Sequence, residues 1–527
     1  MTETSLFKKV TIASFIMMAS VFASRVIGLG RDMAIAFTGG AKGAVDAYQI
    51  AFFIPEILNH CLASGFLSIT FIPIFAHYLA KDNEDEAWRV FSIIFNTFGF
   101  VLLIFIAVSF IYTPQLVAML IPGIDDPLIF KSAVRMTRII LPAQYFFFTG
   151  GLFMAVQFAK ERFFIPALAP LIYNIGIITG GLLLSPWLGM EGFAWGVLAG
   201  AFAGNFLIQF FGAKKINLKL KFTFNLKHPD FIKYIILTIP LMAGLTMTFS
   251  TEIFLKYFGS YLEHGSIAAL NYALRVMFIM VGLFGQAVGV ASYPFMAKLA
   301  EKKDFAKLND LLNKTLKFLL LVIPFSILFM ILRYEIIVMI FQRGKFDMDA
   351  TILTSDILPF LMAGTFAFAA QTVVARGFYA CKNTLLPTIF STIAVVASLP
   401  LFFFFMKILE ARGVALALSL SAIMQTIVLY EVWNLKTDNR GKKDVYKFFI
   451  KISLLSITIG VLLWRITLFF QRIIDNTNFT GALLISLITG VAFLVLFIGT
   501  CSVFKIEEWH LLVVKIKDKL QNTFPKG

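Results

Sequence analysis

Apolar residues gather into fourteen long stretches, and short polar connections separate them along the whole chain. A helix that crosses the ~30 Å hydrocarbon core of a bilayer needs about 20 mostly apolar residues. The pattern therefore predicts fourteen transmembrane helices and an all-α polytopic membrane protein. The first seven centre on Thr11–Phe37, Ala47–Phe75, Phe91–Tyr112, Ile139–Phe158, Ile165–Leu184, residues 192–211 and Tyr234–Phe258. The second seven centre on Leu270–Tyr293, Phe318–Leu332, Ile352–Val374, Leu386–Phe405, Val414–Val432, Phe449–Phe469 and Ala482–Phe504.

Composition agrees. Hydrophobic residues make up 59% of the 527 and charged residues only 14%, with a mean hydropathy of +0.85. A soluble domain is roughly 45–50% apolar and about 25% charged. Soluble enzymes, disordered chains and collagen-like fibres are excluded. Cys61, Cys381 and Cys501 are far apart and odd in number, so they outline neither a disulfide framework nor a zinc site. The five histidines form no ligand pair, and no metal site is expected.

The net charge of +16 acquires meaning only when it is sorted by loop. The N-terminus, the even-numbered loops and the C-terminal tail hold 31 lysines and arginines, against 10 in the opposite loops. Basic loops stay in the cytoplasm, which predicts that both termini are cytoplasmic. Lys214–Lys233, Lys298–Lys317 and Lys436–Lys451 carry most of the excess. It is read as a topology signal and an attraction to anionic membrane lipids, not as a nucleic-acid surface.

Two sequence matches recur at one offset. P-I-F-A-H-Y-L-A-K from Pro73 resembles P-F-M-A-K-L-A-E-K from Pro294, and A-K-E-R-F-F-I-P ending at Pro166 resembles A-C-K-N-T-L-L-P ending at Pro387. Both offsets are 221, which predicts a duplication of six helices in parallel orientation, a transporter signature. The expected domains are an N-lobe over 1–229, a C-lobe over 230–440, and helices thirteen and fourteen with a cytoplasmic tail over 441–527.

Charge inside a span is the sharpest chemical signal, since it costs about 2.5–3.5 kcal/mol on insertion scales. The first helix contains S-R-V-I-G-L-G-R-D, with Arg25, Arg31 and Asp32 in an apolar run. Arg25 and Asp32 fall near one face and Arg31 about 120° away; a bend at Gly28 and Gly30 would bring both guanidiniums to one cavity. The bland alternative has Arg31 and Asp32 mark the helix end, with Arg25 paired to Asp32. The second helix holds Asp46, Pro55, Glu56, Asn59, His60 and Ser64, a polar stripe that predicts a broken helix facing protein or water. Asp46 also fits a plain helix cap. Arg275 stands out in the eighth helix, with Glu252 in the seventh as its balance or as a proton or cation site. Asn174 and Asp356 fit simple helix-to-helix contacts. Arginines from both halves point to an anionic substrate, because the guanidinium fork binds phosphate oxygens in pairs. No nucleophile motif, phosphate-binding loop or nucleotide-binding domain is visible. No catalytic residue or cofactor is expected, and transport is expected to run on a monovalent cation, the membrane potential or a partner.

These residues carry a family resemblance. S-R-V-I-G-L-G-R-D, D-A-Y-Q-I-A-F-F-I-P-E-I-L-N and G-F-L-S-I-T-F-I-P-I-F-A-H-Y resemble the N-terminal signature of the MurJ/MviN lipid II flippases. F-Q-R-G-K-F-D at Phe341–Asp347 and A-R-G-F-Y-A-C-K-N-T-L-L-P at Ala375–Pro387 resemble that family too. The resemblance implies the multidrug/oligosaccharidyl-lipid/polysaccharide exporter fold, with two six-helix lobes and an extra helix pair forming a groove for a lipid tail. It implies movement of the undecaprenyl-diphosphate-linked peptidoglycan precursor, lipid II, to the outer leaflet of the bacterial cytoplasmic membrane. It implies that residues matching Arg25, Arg31, Asp46 and Arg275 are needed; joined to the reading of the spans, this gives expected substrate contacts at Arg25, Arg31, Arg275 and Asn59 and expected cavity acids at Asp46, Asp32 and Glu252. Where the family commonly has an arginine and a glutamate on the second helix, this chain has Asn59 and Ser64. A monomer working beside cell-wall synthesis enzymes is the expected assembly. The competing expectations are an O-antigen or capsule oligosaccharide-lipid flippase, a cation-coupled drug exporter and a membrane scaffold.

Overall fold

The computed structural model describes residues 3–60, 66–245 and 250–506. Among them the regular structure is entirely helical. Among the described residues nine helices are long and apolar enough to cross a membrane by length and composition, or ten with the pair Met348–Met362 and Thr365–Ala380, which bends by 45°. The 53-residue helix Leu385–Thr437 has one non-helical residue, Glu410, and therefore consists of two runs that coincide with the eleventh and twelfth stretches. Large apolar side chains stay exposed along the thirteenth and fourteenth helices (Ile450, Leu454, Ile457, Val461, Leu487, Val491, Val495). A continuous outward apolar surface of that kind is stable against lipid and not against water. The chain is a multi-pass membrane protein.

Each break has a local cause. The second span is in pieces, Gly43–Ala51, Phe53–Leu58 and Phe66–Ala80. Pro55 has no N–H to give to the carbonyl four residues back, so the helical ladder loses a bond at that turn. Cys61 and Ser64 lie outside the described residues. The fifth helix, Phe164–Leu188, and the sixth, which starts at Glu191, approach through glycines. A Cβ on Gly176 would come within 2.5 Å of the Gly200 Cα, and one on Gly180 within 2.5 Å of the Gly196 Cα. Small residues at four-residue intervals allow this contact, which supplies dispersion where no hydrophobic effect acts between helices.

Backbone geometry displays the duplication. Non-glycine residues with left-handed φ include the pairs Asp82 and Lys303, Glu161 and Lys382, and Asn217 and Asp438. Each pair is 221 residues apart, the offset of the sequence matches. In both copies the same turn ends a helix: Asn83 N donates to the Tyr78 carbonyl at 3.0 Å and Asp304 N to the Leu299 carbonyl at 3.1 Å. The following caps agree, with the Asn83 side chain accepting from Glu86 N and the Asp304 side chain from Lys307 N.

By their contacts the residues divide into two compact units, Met1–Ala268 with Arg343–Ala350, and Ala269–Gln342 with Thr351–Gly527. The first has an aromatic core in which Phe71, Phe75, Trp88 and Phe91 pack edge to face or tilted and Phe153 stacks on Phe91. In the second, Leu312, Leu316, Phe378, Trp433, Phe493 and Phe497 are buried together. Asn309 accepts from Trp433 Nε1, and Asn313 bonds Asn439 and the Tyr430 hydroxyl. The connection before the fourteenth helix is anchored on Glu335, fully buried, whose Oε1 accepts from Gln471 at 2.6 Å and Asn476 at 2.9 Å.

The repeat also predicts where the fold is strained. Gly189 has φ 56° and ψ −134°, and its counterpart 221 residues on is Glu410, at φ 52° and ψ −127°. Glycine occupies that region freely, whereas a side chain there costs of order 1–3 kcal/mol. Glu410→Gly should raise the thermal unfolding midpoint of the purified protein by the equivalent of about 1 kcal/mol or more. Gly189→Glu should lower it.

Candidate functional site

The first helix runs without a break from Glu3 to Gly39. Helical geometry is uninterrupted at Gly28 and Gly30, so Arg25 and Arg31 keep the ~120° offset of a regular helix. Arg25 is exposed on the helix surface. Arg31 turns inward: its Nε and Nη2 donate to Asp32 Oδ1 at 3.1 and 2.9 Å, and its Nη1 donates to Asn174 Oδ1 at 3.1 Å. Asp32 is therefore the partner of its neighbour Arg31. Asn174, which in the sequence fits simple helix glue, instead fixes the direction of the guanidinium. Its own amide nitrogen donates to the Pro170 carbonyl at 2.9 Å, a carbonyl of its own helix four residues back. Tyr48 and Tyr173 lie within electrostatic reach of Arg31, and Glu56 within reach of Tyr173.

Asp46 is buried, and it caps a helix distant in sequence rather than its own. Its carboxylate accepts from the backbone N–H of Gly265 and, at 2.8 Å, from that of Ala268, at the start of the helix Ser266–Val281. The first turn of a helix has unsatisfied N–H groups and a partial positive charge, and a carboxylate answers both. Around this cap the backbone closes tightly. Gly265 has φ +96°, and a Cβ there would lie 2.1 Å from the Ala41 carbonyl; Gly40 has φ +67° and a Cβ would lie 2.4 Å from that of Lys345. Lys345 N donates to the Phe37 carbonyl at 2.8 Å, and Lys42 pairs with Asp347 at 3.0 Å. The Ala350 N–H and then Lys42 hold the Asp347 carboxyl below the ordinary aspartate range. The F-Q-R-G-K-F-D segment thus seals onto the turn after the first helix.

Two cations escaped the sequence reading. Lys256 is 2% exposed, and its ammonium lies 2.5 Å from Glu56 Oε2. It sits two residues from the end of the predicted stretch Tyr234–Phe258 and reads as flanking charge. The signal was the Glu252–Lys256 spacing of one turn in T-E-I-F-L-K-Y, which puts both on one face. Glu252 and Lys256 both act on the His60 ring. Arg376, just past the predicted tenth stretch, has a buried Nη1 without a hydrogen-bond partner among the described residues. Gly289 leaves the room it occupies, since a Cβ there would lie 2.6 Å from that nitrogen. Asn59 is half-buried at the end of Phe53–Leu58. Arg275 is half-buried in Ser266–Val281, in the second unit, and Arg333 pairs with Asp356 at 3.4 Å there. Among the described residues no group of histidine, cysteine, aspartate and glutamate is arranged to hold a metal ion.

Residues 34–488 match the family model described as lipid II flippase MurJ. The chain belongs to the lipid II flippase MurJ family. A probable lipid II flippase MurJ of Buchnera aphidicola subsp. Baizongia pistaciae is 27% identical over 413 residues, 78% of this chain and 80% of that one. A solved structure of lipid II flippase MurJ in an inward closed conformation superposes with a TM-score of 0.76 at 27% identity, covering 93% of this chain and 99% of the other. An inward-facing multidrug resistance MATE transporter of the MOP superfamily gives a TM-score of 0.66 at 14% identity, covering 79% and 94%, and shares the fold. MurJ membership makes the intramembrane arginines part of a transporter.

The Asp46 cap yields a stability test. Asp46→Ala leaves two buried N–H groups without an acceptor and should destabilise by about 1–3 kcal/mol, whereas Asp46→Asn keeps one acceptor and should cost less. Thermal unfolding of the purified proteins checks the order, and equal midpoints for all three would show that the cap does not stabilise the fold.

Proposed function

We propose that this chain is a lipid II flippase that moves the undecaprenyl-diphosphate-linked peptidoglycan precursor from the inner to the outer leaflet of a bacterial cytoplasmic membrane by alternating access. The observation that carries this reading is the family match over residues 34–488. Arg31 supports it from the physical side, because a guanidinium kept inside a span and aimed by Asn174 is a charge placed for use. The diphosphate would bind Arg25, Arg31 and Arg275, near Asn59, with Asp32, Asp46 and Glu252 as the acids of the cavity. The polyprenyl tail would lie along the thirteenth and fourteenth helices, whose outward side chains are apolar. Both termini would be cytoplasmic, and the protein would act as a monomer beside cell-wall synthesis enzymes, without a cofactor. A diphosphate carries about two negative charges, and each is worth roughly 2.3 kcal/mol per 100 mV. With the cytoplasm negative, the potential favours outward movement of that anion.

Two measurements test this. In a strain depleted of its own flippase, the chain should restore growth, and Arg25→Ala or Arg275→Ala should insert normally and fail to do so. In proteoliposomes, wild-type protein should expose lipid II to an externally added probe. An ionophore that collapses the potential at constant pH gradient should slow that exposure severalfold. Full rescue by both alanine variants at normal expression would exclude the arginine-based mechanism.

A further inference from the structure

The connection between the sixth and seventh helices is not a plain solvated loop. Lys214, Lys215, Lys219, Lys221 and Lys227 lie in it with no acidic residue among them, and from Lys219 onward polar and apolar residues alternate as K-L-K-F-T-F-N-L-K. Residues 218–225 belong to no helix. An extended chain sends successive side chains to opposite sides, so Leu220, Phe222, Phe224 and Leu226 share one side. That apolar row does not turn into the protein: all four are exposed, and Phe222 is 88% exposed.

The third helix, Glu84–Ile111, holds this segment and sets its depth. At the start of that helix Lys219 pairs with Asp85 at 2.6 Å, and His228 bonds Glu86 at 3.1 Å. Between these two ends the chain runs inward and returns. Ser92 Oγ accepts from the Lys221 N–H at 3.0 Å, and Asn96 Nδ2 donates to the Lys221 and Thr223 carbonyls at 2.8 and 3.1 Å. Asn96 lies about three turns beyond Asp85, roughly 16 Å along the axis, and inside the apolar stretch Phe91–Tyr112. Non-helical backbone is tolerated at that depth where protein groups answer it, and Ser92 and Asn96 do so here. Phe222 and Phe224 form the tip, edge to face with ring centroids 5.1 Å apart. With Phe95, Phe100, Leu103 and Tyr145 they line an apolar cleft of about 480 Å³.

We propose that residues 218–227 are an interfacial anchor. Phe222 and Phe224 insert among the acyl chains of the adjoining leaflet, one acyl chain fills the cleft beside them, and Lys221 and Lys227 hold the phosphates of anionic phospholipids. Apolar residues set ~5–10 Å below the headgroups and cations level with them bind an anionic membrane surface by both means. Lys221 reaches the phosphates from its deeper backbone because its long stem carries the ammonium toward water. The connection between the two copies of the duplication is thereby fixed to lipid as well as to the third helix. The anchor stands apart from the flippase reading, and its test needs neither lipid II nor a choice of which face is cytoplasmic.

The test uses full-length protein with Cys61, Cys381 and Cys501 replaced by serine, spin-labelled at Phe222→Cys or, separately, at Lys227→Cys. It is placed in nanodiscs of phosphatidylcholine or of an equal mixture with phosphatidylglycerol. Collisions with oxygen, which concentrates in hydrocarbon, and with a water-soluble nickel chelate report the depth of each label. The label at 222 should favour oxygen severalfold, and the label at 227 should favour the chelate. Phosphatidylglycerol should draw the 222 label deeper, and Lys221→Gln with Lys227→Gln should abolish that difference. Should the serine background fail to fold, hydrogen exchange of wild-type residues 218–227 replaces the labels and should slow severalfold in the mixture. Equal chelate access at 222 and 227 overturns the insertion. A 222 label shielded from oxygen as well as from chelate also overturns it, in favour of a protein contact. A depth, or an exchange rate, indifferent to phosphatidylglycerol overturns the role given to the lysines.

Discussion

A charge inside hydrocarbon must be answered, and the interior of the first unit is arranged around that demand. Water there cannot screen or solvate, so each ionised group needs a partner at contact distance. Arg31 has Asp32 and Asn174, Lys256 has Glu56, and Asp46 has the two backbone donors of a helix start. These pairings tie the first helix to the fifth, the second to the seventh, and the second to the start of the eighth.

The choice of partners follows from what broken helices expose. A regular helix consumes its own N–H and C=O groups, and only its ends offer donors. Asp46 reaches the end of a helix that begins 220 residues later in the sequence. Its neighbourhood tolerates the approach because Gly40 and Gly265 carry no Cβ where carbonyls come close. Tight backbone contact and charge compensation are therefore one feature, and a larger residue at either glycine would disturb the cap as well as the turn.

Much of this was legible in the sequence. Apolar length located the helices, and two short matches at an offset of 221 located a duplication that the left-handed residues of the backbone repeat. Pro55 gave away the break in the second helix. The pairings were not legible, because a span's side chains meet residues hundreds of positions distant. Asp46 could be a cap or a cavity acid until its acceptors were seen, and Arg25 and Arg31 are equally conspicuous in sequence although only Arg31 is aimed inward. Lys256 and Arg376 lie within a turn of a predicted helix end, where lysine and arginine ordinarily reach for the interface. Burial, not position, distinguishes them.

The Glu56–Lys256 contact has a consequence for how the second and seventh helices can move. An arginine and a glutamate on one helix move together, so their attraction is indifferent to the motion of neighbours. Glu56 and Lys256 sit on different helices, and sliding the second past the seventh must pull them apart. Breaking a buried pair costs about 3–5 kcal/mol when one charge is left uncompensated. Separating the second helix from the seventh would have to break this contact.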